Sequence, residues 1–161
     1  MDESLSRVDM PTDELSIING EEDYYMQYDS ADVFWLSRII FAEATYQPLA
    51  GRIAVGNVIL NRVAYPDYPD NVYDVVFDTK GGIQFDPAYD GTIFNDSDEL
   101  SKVAAYLALD GVNTCGDCYF FVNPDTGSTW WFHENLEYVT TIAEHEFYTL
   151  KPEDRIDAAD A

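Results

Sequence analysis

The chain has 161 residues, of which 47% are hydrophobic and 15% aromatic, as expected for one packed domain with some additional tail. It carries 31 acidic residues against 8 lysines and arginines, so its formal net charge is −23. This charge argues against nucleic acids and anionic membranes as partners, because phosphate binding requires a basic face. A neutral or zwitterionic substrate, or a need for solubility, fits the charge better.

The two ends of the chain differ in composition from its middle. Residues 1–30 are acidic and polar and are expected to form an arm or linker, whereas 31–150 are expected to form the domain and 151–161 a polar tail. No apolar run is long enough to span a bilayer. The N-terminus lacks the basic and apolar regions of a secretory signal, which predicts either an intracellular protein or a trimmed one.

The first predicted helix begins at Asp29 or Ser30, either of which can cap it, and ends near Tyr46, because Pro48 disfavours helical geometry in the residue before it. Within this segment an acidic residue occupies a position where the pattern favours a hydrophobic one. The residues spaced as one face of the helix are Leu36, Ile39, Ile40 and Glu43.

Glu43 is therefore the first candidate for chemistry. A carboxyl group withdrawn from water keeps its proton to higher pH, and such a group can act as a general acid near neutrality. The small side chains of Ala42 and Ala44 would leave room for a ligand beside it. The alternative is that Glu43 ends the apolar face and is ion-paired or reaches solvent.

A second helix is predicted over 48–64, with Pro48 in its first turn. Apolar residues occupy most of its circumference, apart from a polar stripe formed by Asn57 and Asn61 beside Arg52 and Arg62, so the helix is expected to be central and buried. Gly56 within it predicts the close approach of another segment.

Two further helices are predicted before the strand-like segments of the C-terminal half begin. Residues 71–77 suit a short helix capped by Asp70, and 79–95 are expected to form a loop. The next helix is predicted over 97–110 and ends at Gly111. Its expected apolar face contains Leu100, Val103, Ala104 and Leu107.

Residues 119–123, 129–132 and 138–142 are rich in aromatic and β-branched residues, so three strands are predicted there. Helices first and strands last predict an α+β fold, with a helical N-terminal half and a small antiparallel sheet in the C-terminal half.

The pair Cys115 and Cys118 is expected to be either a local disulfide or two unreactive thiols. Zinc binding is a weaker alternative, because the two histidines, His133 and His145, do not match finger-type zinc spacing. Redox catalysis is also weaker, because no strand–helix pattern places the pair at the start of a helix. No metal site and no cofactor are expected.

Five segments of the chain occur in an order that is specific as a set. They are 42–44 (Ala-Glu-Ala), 51–63, 84–91, 119–124 and 141–148. Together they resemble the SleB/CwlJ-type cell wall hydrolases, the spore cortex-lytic enzyme family, from about Val33 to Tyr148. Ala143 and Glu144 depart from the family pattern, in which Gly-Asn usually precedes the histidine.

The resemblance implies a lysozyme-like or lytic-transglycosylase-like catalytic domain with Glu43 as its catalytic acid. The expected activity is cleavage of peptidoglycan glycan strands between N-acetylmuramic acid and N-acetylglucosamine. Glu43 would act alone, giving a 1,6-anhydro product, or with Asp86 or Asp90 activating water, although both aspartates also suit turns.

Further residues are candidates for holding the sugar, since a few polar groups in a mostly apolar cleft fix a ligand's orientation. The candidates are Gln84, Phe85, Tyr119, Asn123 and Trp131. The aromatic candidates suit the core as well, and Asn123 suits a turn. His145 is expected to be a hydrogen-bonded structural histidine, with polar support of the site as the alternative.

Peptidoglycan is thus the expected partner of a monomer that acts in the cell wall, the spore or outside the cell. Two other functions remain as alternatives. One is a non-catalytic glycan-binding or spore-structural module, which would not need Glu43. The other is a metal-dependent amidase acting on the stem peptide, which would need a ligand set that two scattered histidines supply poorly.

Overall fold

The computed structural model describes residues 28–156. Most of the expected acidic arm, residues 1–27, and the last five residues of the expected tail lie outside the described range. Among residues 28–156, no helix is both long and apolar enough to cross a membrane.

The first helix, α1, spans Ser30–Ala44. Its predicted start is confirmed, since the Asp29 side chain accepts a hydrogen bond from the Ala31 backbone N–H at 2.7 Å. It ends two residues before Tyr46. Its apolar face is fully buried, with Leu36, Ile39 and Ile40 at 0% exposure.

Helix α2, Leu49–Ala64, runs through the centre of the domain, as its nearly continuous apolar surface predicts. All residues from Gly51 to Ile59 are buried. A Cβ added at Gly56 would lie 3.1 Å from Ile40 Cδ1 and 3.2 Å from Ala108 Cβ. The glycine therefore allows two other helices to pack closely against α2.

The connection after α2 contains more helix than expected. Helix α3, Val72–Val76, is capped by Asn71 rather than by Asp70, because the Asn71 side chain accepts a hydrogen bond from the Asp74 N–H at 2.8 Å. The segment 79–95, predicted as a loop, contains the short helix α4, Pro87–Asp90, and a 3₁₀ helix at Thr92–Phe94.

Helix α5 spans Glu99–Leu109 and is capped by Asp98, while Gly111 beyond its end has a φ of 101°. The predicted buried face is only partly correct, because Leu100 is 39% exposed. The residues buried on α5 are Ser101, Ala104, Ala105 and Ala108. These small side chains suit the close approach of α5 to Gly56 of α2.

The sheet has three antiparallel strands in the order β1, β3, β2. Strand β1 spans Phe120–Val122, β2 spans Leu136–Ile142, and β3 spans His145–Leu150. The central strand β3 is the most buried, and Phe147 at 0% exposure joins the main core. Helices followed by a small antiparallel sheet confirm the predicted α+β class.

One predicted strand is wrong. Residues 129–132 do not join the sheet, and Trp130–Asn135 form helix α6. The rings of Trp131 and Phe132 pack against Phe120 of β1 at centroid distances of 5.9 and 6.4 Å. This packing against the sheet overrides the preference of consecutive aromatic residues for a strand.

The two cysteines are free thiols and both are buried. Cys118 Sγ donates a hydrogen bond to the Cys115 carbonyl oxygen. The interaction with Cys115, together with burial, raises the pKa of the Cys118 thiol. Of the two expectations for this pair, the structure shows two buried free thiols and not a disulfide.

Candidate active site

Glu43 lies where two cavities meet. A larger cavity of about 620 Å³ is lined by Glu43 together with β1 and the segment 81–86. A smaller cavity of about 490 Å³ is lined by Glu43 together with α4, Thr92 and Asn95. Asp86 lines both of them. The two volumes are within the range of small-molecule sites.

The position of Glu43 follows from the shape of α1. The helix buries Leu36, Ile39 and Ile40 in the core, and Glu43 lies one turn further along the same face. At that level the core gives way to the cleft, so the carboxyl group is withdrawn from bulk water without being enclosed. Among the described residues, no side chain forms an ion pair or hydrogen bond with it, which removes the ion-paired alternative for this part of the chain.

Burial raises the pKa of Glu43 from its ordinary value of 4.5 to about 7, and the negative charges of Asp86 and Asp90 act in the same direction. A carboxyl group that titrates near neutrality is partly protonated at pH 7. It can therefore both donate and accept a proton, as a general acid and base must.

Arg52 fixes the chain that follows Glu43. Only 5% exposed, it donates from Nε to the Gln47 carbonyl at 2.8 Å and from Nη2 to the Thr45 carbonyl. Its Nη1 forms an ion pair with Asp98 at 2.9 Å. The end of α1 is thereby tied to the start of α5, which holds the Glu43 backbone in place.

The two aspartates near Glu43 differ in their surroundings. Asp90 accepts hydrogen bonds from the Thr92 N–H at 2.9 Å and the Thr92 hydroxyl at 2.7 Å, and these bonds lower the pKa of Asp90. Asp90 therefore has the turn role that its sequence suggests. The Asp86 side chain makes no hydrogen bond or ion pair with the described residues, although Asp86 lines both cavities.

Four of the five candidate sugar-binding residues line the larger cavity: Gln84, Phe85, Asn123 and Trp131. Phe85 is 3% exposed and also belongs to the core, whereas Trp131 is 46% exposed. Tyr119 is not brought to either cavity of the described region. Its ring packs instead against Tyr65 and Tyr68, at 5.1 and 6.4 Å.

The amides of two of these residues already have partners in the protein. The Gln84 Nε2 donates to the Gly82 carbonyl at 3.0 Å, and its Oε1 accepts from Arg62. The Asn123 Oδ1 accepts from the Asp125 N–H at 2.9 Å, which is the turn role that precedes a proline. Both side chains therefore shape the cavity wall as well as facing the cavity.

Two basic side chains line the larger cavity although neither was chosen from the sequence as a binding residue, those of Arg62 and His145. His145 differs from its expected role, because its Nδ1 is buried and has no hydrogen-bond partner among the described residues. Its ring lies 5.2 Å from that of Phe121, and burial lowers the pKa of His145. The sequence feature that could have identified Arg62 as a cavity residue is its place beside the polar stripe of an otherwise apolar, buried helix.

No group of three or more His, Cys, Asp and Glu side chains within residues 28–156 is arranged to hold a metal ion. The metal-dependent alternative therefore lacks a ligand set in this part of the chain.

Comparison with known proteins adds sequence relatives. A family model described as Cell Wall Hydrolase matches residues 46–148. The spore cortex-lytic enzyme of Halalkalibacterium halodurans is 32% identical over 120 residues, covering 74% of this chain and 35% of that protein. The spore cortex-lytic enzyme of Bacillus subtilis is 29% identical, covering 74% of this chain and 38% of that one. The chain thus spans little more than a third of the length of these relatives.

Two solved structures share the fold. The catalytic domain of the germination-specific lytic transglycosylase SleB from Bacillus anthracis is 29% identical, with a TM-score of 0.68, covering 76% of this chain and 97% of that one. The catalytic domain of the Bacillus cereus SleB protein has a TM-score of 0.67. The fold is therefore that of the SleB catalytic domains. The family match begins at Tyr46, so the assignment of Glu43 depends on the geometry of the cleft.

Proposed function

Because the chain belongs to the cell wall hydrolase family, we propose that it cleaves peptidoglycan glycan strands between N-acetylmuramic acid and N-acetylglucosamine, with Glu43 as general acid and base. The named activities of its relatives, spore cortex lysis and lytic transglycosylation, support this proposal. The fold that it shares with the SleB catalytic domains supports it further.

The observation that carries the proposal is the position of Glu43 between two cavities. A glycosidic oxygen lies between two sugar rings, so the acid that protonates it needs space for a ring on either side. A carboxyl group with a pKa of about 7 at that junction combines the required geometry with the required proton.

The proposed reaction is a lytic transglycosylation. The Glu43 carboxyl group donates its proton to the oxygen that links C1 of the muramoyl residue to N-acetylglucosamine, and the C1–O bond breaks. The Glu43 carboxylate then takes the proton of the muramoyl C6 hydroxyl while O6 bonds to C1. A 1,6-anhydro ring forms, N-acetylglucosamine leaves with a free hydroxyl, and Glu43 regains its proton.

Hydrolysis is the second candidate reaction, and the position of Asp86 favours considering it. The Asp86 side chain lines both cavities and is not engaged by other described side chains, so it is available to activate a water molecule. Water in place of the C6 hydroxyl would give an ordinary reducing end. The enzyme would then be a muramidase.

Mass spectrometry of peptidoglycan digested by the wild type, Glu43→Gln and Asp86→Asn tests both reactions. We expect anhydromuramoyl products from the wild type and from Asp86→Asn, and none from Glu43→Gln. Reducing ends that disappear with Asp86→Asn would identify a muramidase. Full cleavage by Glu43→Gln would refute the proposed role of Glu43. Binding without cleavage would indicate a glycan-binding module, and released stem peptide would indicate an amidase.

For the substrate, we propose that the ring of Trp131 forms a stacking surface in the larger cavity, next to Phe120 at 5.9 Å. Phe85 and Asn123 contribute to the walls of the same cavity, and Gln84 orients the loop 80–85 through its hydrogen bonds. The packing of Tyr119 away from the cavities supports a structural role for that residue.

We propose residues 31–150 as the catalytic domain, with 1–30 as an arm and 151–161 as a tail. The domain is proposed to act as a monomer on the cell wall, in the spore or outside the cell, and not on nucleic acid. The charge of −23 supports the last point.

A further inference from the structure

Arg62 is a buried cation that faces the larger cavity. It is 3% exposed and comes from the last turn of α2. Its Nε donates to the Tyr119 carbonyl at 2.8 Å, and its Nη1 donates to Gln84 Oε1 at 3.2 Å. Its Nη2 makes no hydrogen bond with the described residues. Part of its donor capacity is therefore not used by this part of the chain.

The other described arginines are each paired with a carboxylate. Arg38 pairs with Asp96 at 2.9 Å, Arg52 with Asp98 at 2.9 Å, and Arg155 with Asp117 at 2.7 Å. Arg62 is the most buried of the four and forms no ion pair within residues 28–156. This lack of a partner is unexpected in a chain with 31 acidic residues, because burying an unpaired charge is costly.

The charge of Arg62 is held by aromatic rings. Its guanidinium carbon lies 4.9 Å from the ring centroid of Tyr68, 5.0 Å from that of Phe85 and 4.8 Å from that of Phe120. The faces of these rings attract a cation and keep the planar guanidinium group in a fixed orientation. They do not neutralise it, and burial alone does not deprotonate an arginine.

The acidic groups of the cleft are associated with Glu43, not with Arg62. The charges that act on Glu43 are those of Asp86 and Asp90, and the acid whose charge acts on Arg62 is Asp78, on the loop after α3. Asp78 is more than 4.0 Å away, since no ion pair joins the two. The larger cavity is thus lined by a positive charge that has no carboxylate of residues 28–156 within ion-pair distance.

We propose that Arg62 binds a carboxylate of the substrate, so that the larger cavity selects a glycan with an anionic group. This proposal rests on the proposed cleavage of peptidoglycan and places the muramoyl residue in the larger cavity. A carboxylate accepts hydrogen bonds from a guanidinium in a geometry that an ammonium group does not reproduce. Two parts of peptidoglycan supply this group: the lactyl side chain of muramic acid and the free carboxylates of the stem peptide.

Binding measurements on Glu43→Gln separate this selection from turnover. Calorimetry would use three glycans of equal length: muramoyl glycan stripped of its peptides, which exposes lactyl carboxylates; muramoyl glycan with intact peptides; and a neutral chitin oligomer. We expect at least one anionic glycan to bind about tenfold more tightly than the neutral one, as for a charge-assisted hydrogen bond. The glycan that shows the gain identifies the source of the carboxylate.

Variants then assign the gain to Arg62. In the Glu43→Gln background, Arg62→Gln is expected to remove the roughly tenfold preference while leaving binding of the neutral oligomer within about twofold. Arg62→Lys, which keeps the charge but not the planar group, is expected to retain part of the preference for the anionic glycan. Lys80→Gln is the matched control, because it removes an exposed cation near the same loop and is expected to keep the preference.

Equal affinity of Glu43→Gln, with Arg62 intact, for anionic and neutral glycans would overturn the proposal, and that comparison needs no Arg62 variant to fold. Equal weakening of all three ligands by Arg62→Gln would also overturn it and would indicate a purely structural arginine. Cleavage of peptidoglycan that is independent of Glu43 would overturn the proposed function instead. The two failures are therefore distinguishable.

Discussion

Asp86 and Glu43 line the same two cavities, and the negative charge of Asp86 contributes to the raised pKa of Glu43. Burial is the larger cause, and the second carboxylate acts in the same direction because two like charges in one cleft disfavour each other. A catalytic acid that must hold a proton near neutrality is thereby supported by a neighbouring residue that need not take part in the reaction.

The first prediction concerns pH. Protonated Glu43 is the donor, so activity should fall as the pH rises through about 7. Asp86→Asn removes one of the charges that raise the Glu43 pKa, so the fall in activity on the alkaline side of the pH–activity profile should move to lower pH. Titration of the Glu43 carboxyl carbon by NMR measures this directly. Glu153→Gln, an exposed acid in the 3₁₀ helix Pro152–Asp154, should leave the titration unchanged. An unmoved midpoint in Asp86→Asn would contradict the prediction.

The second prediction concerns stability. Glu43 has a pKa of about 7 in the folded protein against an ordinary value of 4.5, so its favourable contribution is complete below pH 4.5 and is lost as the pH rises to 7. Glu43→Gln removes the buried charge and should be more stable than the wild type at pH 8, by roughly 3 kcal/mol. At pH 4.5 the two should be nearly equal. Denaturant unfolding at both values tests this, and a difference independent of pH would count against it.

The third prediction concerns the turn between β2 and β3. Ala143 there has a φ of 52°, in the left-handed region that an alanine adopts at a cost. Ala143→Gly should therefore raise the free energy of unfolding by about 0.5–1 kcal/mol. Ala31→Gly, at an exposed helical position in α1, should instead lower it. A loss of stability in Ala143→Gly would show that the turn does not carry this strain.

The fourth prediction concerns Arg52. Arg52→Met leaves Asp98 without its partner and frees the carbonyls of Thr45 and Gln47, so it should lower the free energy of unfolding by roughly 3 kcal/mol. Activity should also fall, because these contacts hold the chain that follows Glu43. Lys80→Met breaks an exposed pair with Asp67 and should cost less than about 0.5 kcal/mol. Similar losses in the two variants would show that burial of the Arg52 guanidinium group has no special effect.

The fifth prediction concerns the aromatic rings of α6. Trp131 lines the larger cavity, whereas its neighbour Trp130 does not and is 69% exposed. Trp131→Ala should weaken glycan binding by roughly tenfold, while Trp130→Ala should change it by less than about twofold. Calorimetry in the Glu43→Gln background measures both. Equal effects of the two substitutions would remove Trp131 from the proposed stacking surface.

The sequence by itself determined the helices whose signals are local. The cap at Asp29, the proline at position 48 and the apolar periodicity placed α1 and α2 within two residues, because each signal acts between residues one or two turns apart. The same periodicity singled out Glu43 as an acid on an apolar face. The family resemblance led to the same residue, although the role of Glu43 in catalysis stays a prediction.

Only the tertiary structure decided what surrounds that acid. Residues 129–132 have the composition of a strand, yet they form part of α6 because Trp131 and Phe132 pack on Phe120. Asp86, Arg62 and His145 are separated from Glu43 by many residues, and they line one cavity with it because the fold brings the loop 81–86, the end of α2 and the start of β3 to the same cleft. Burial, unpaired charge and cavity shape depend on contacts between distant segments, and no local pattern of residues encodes them.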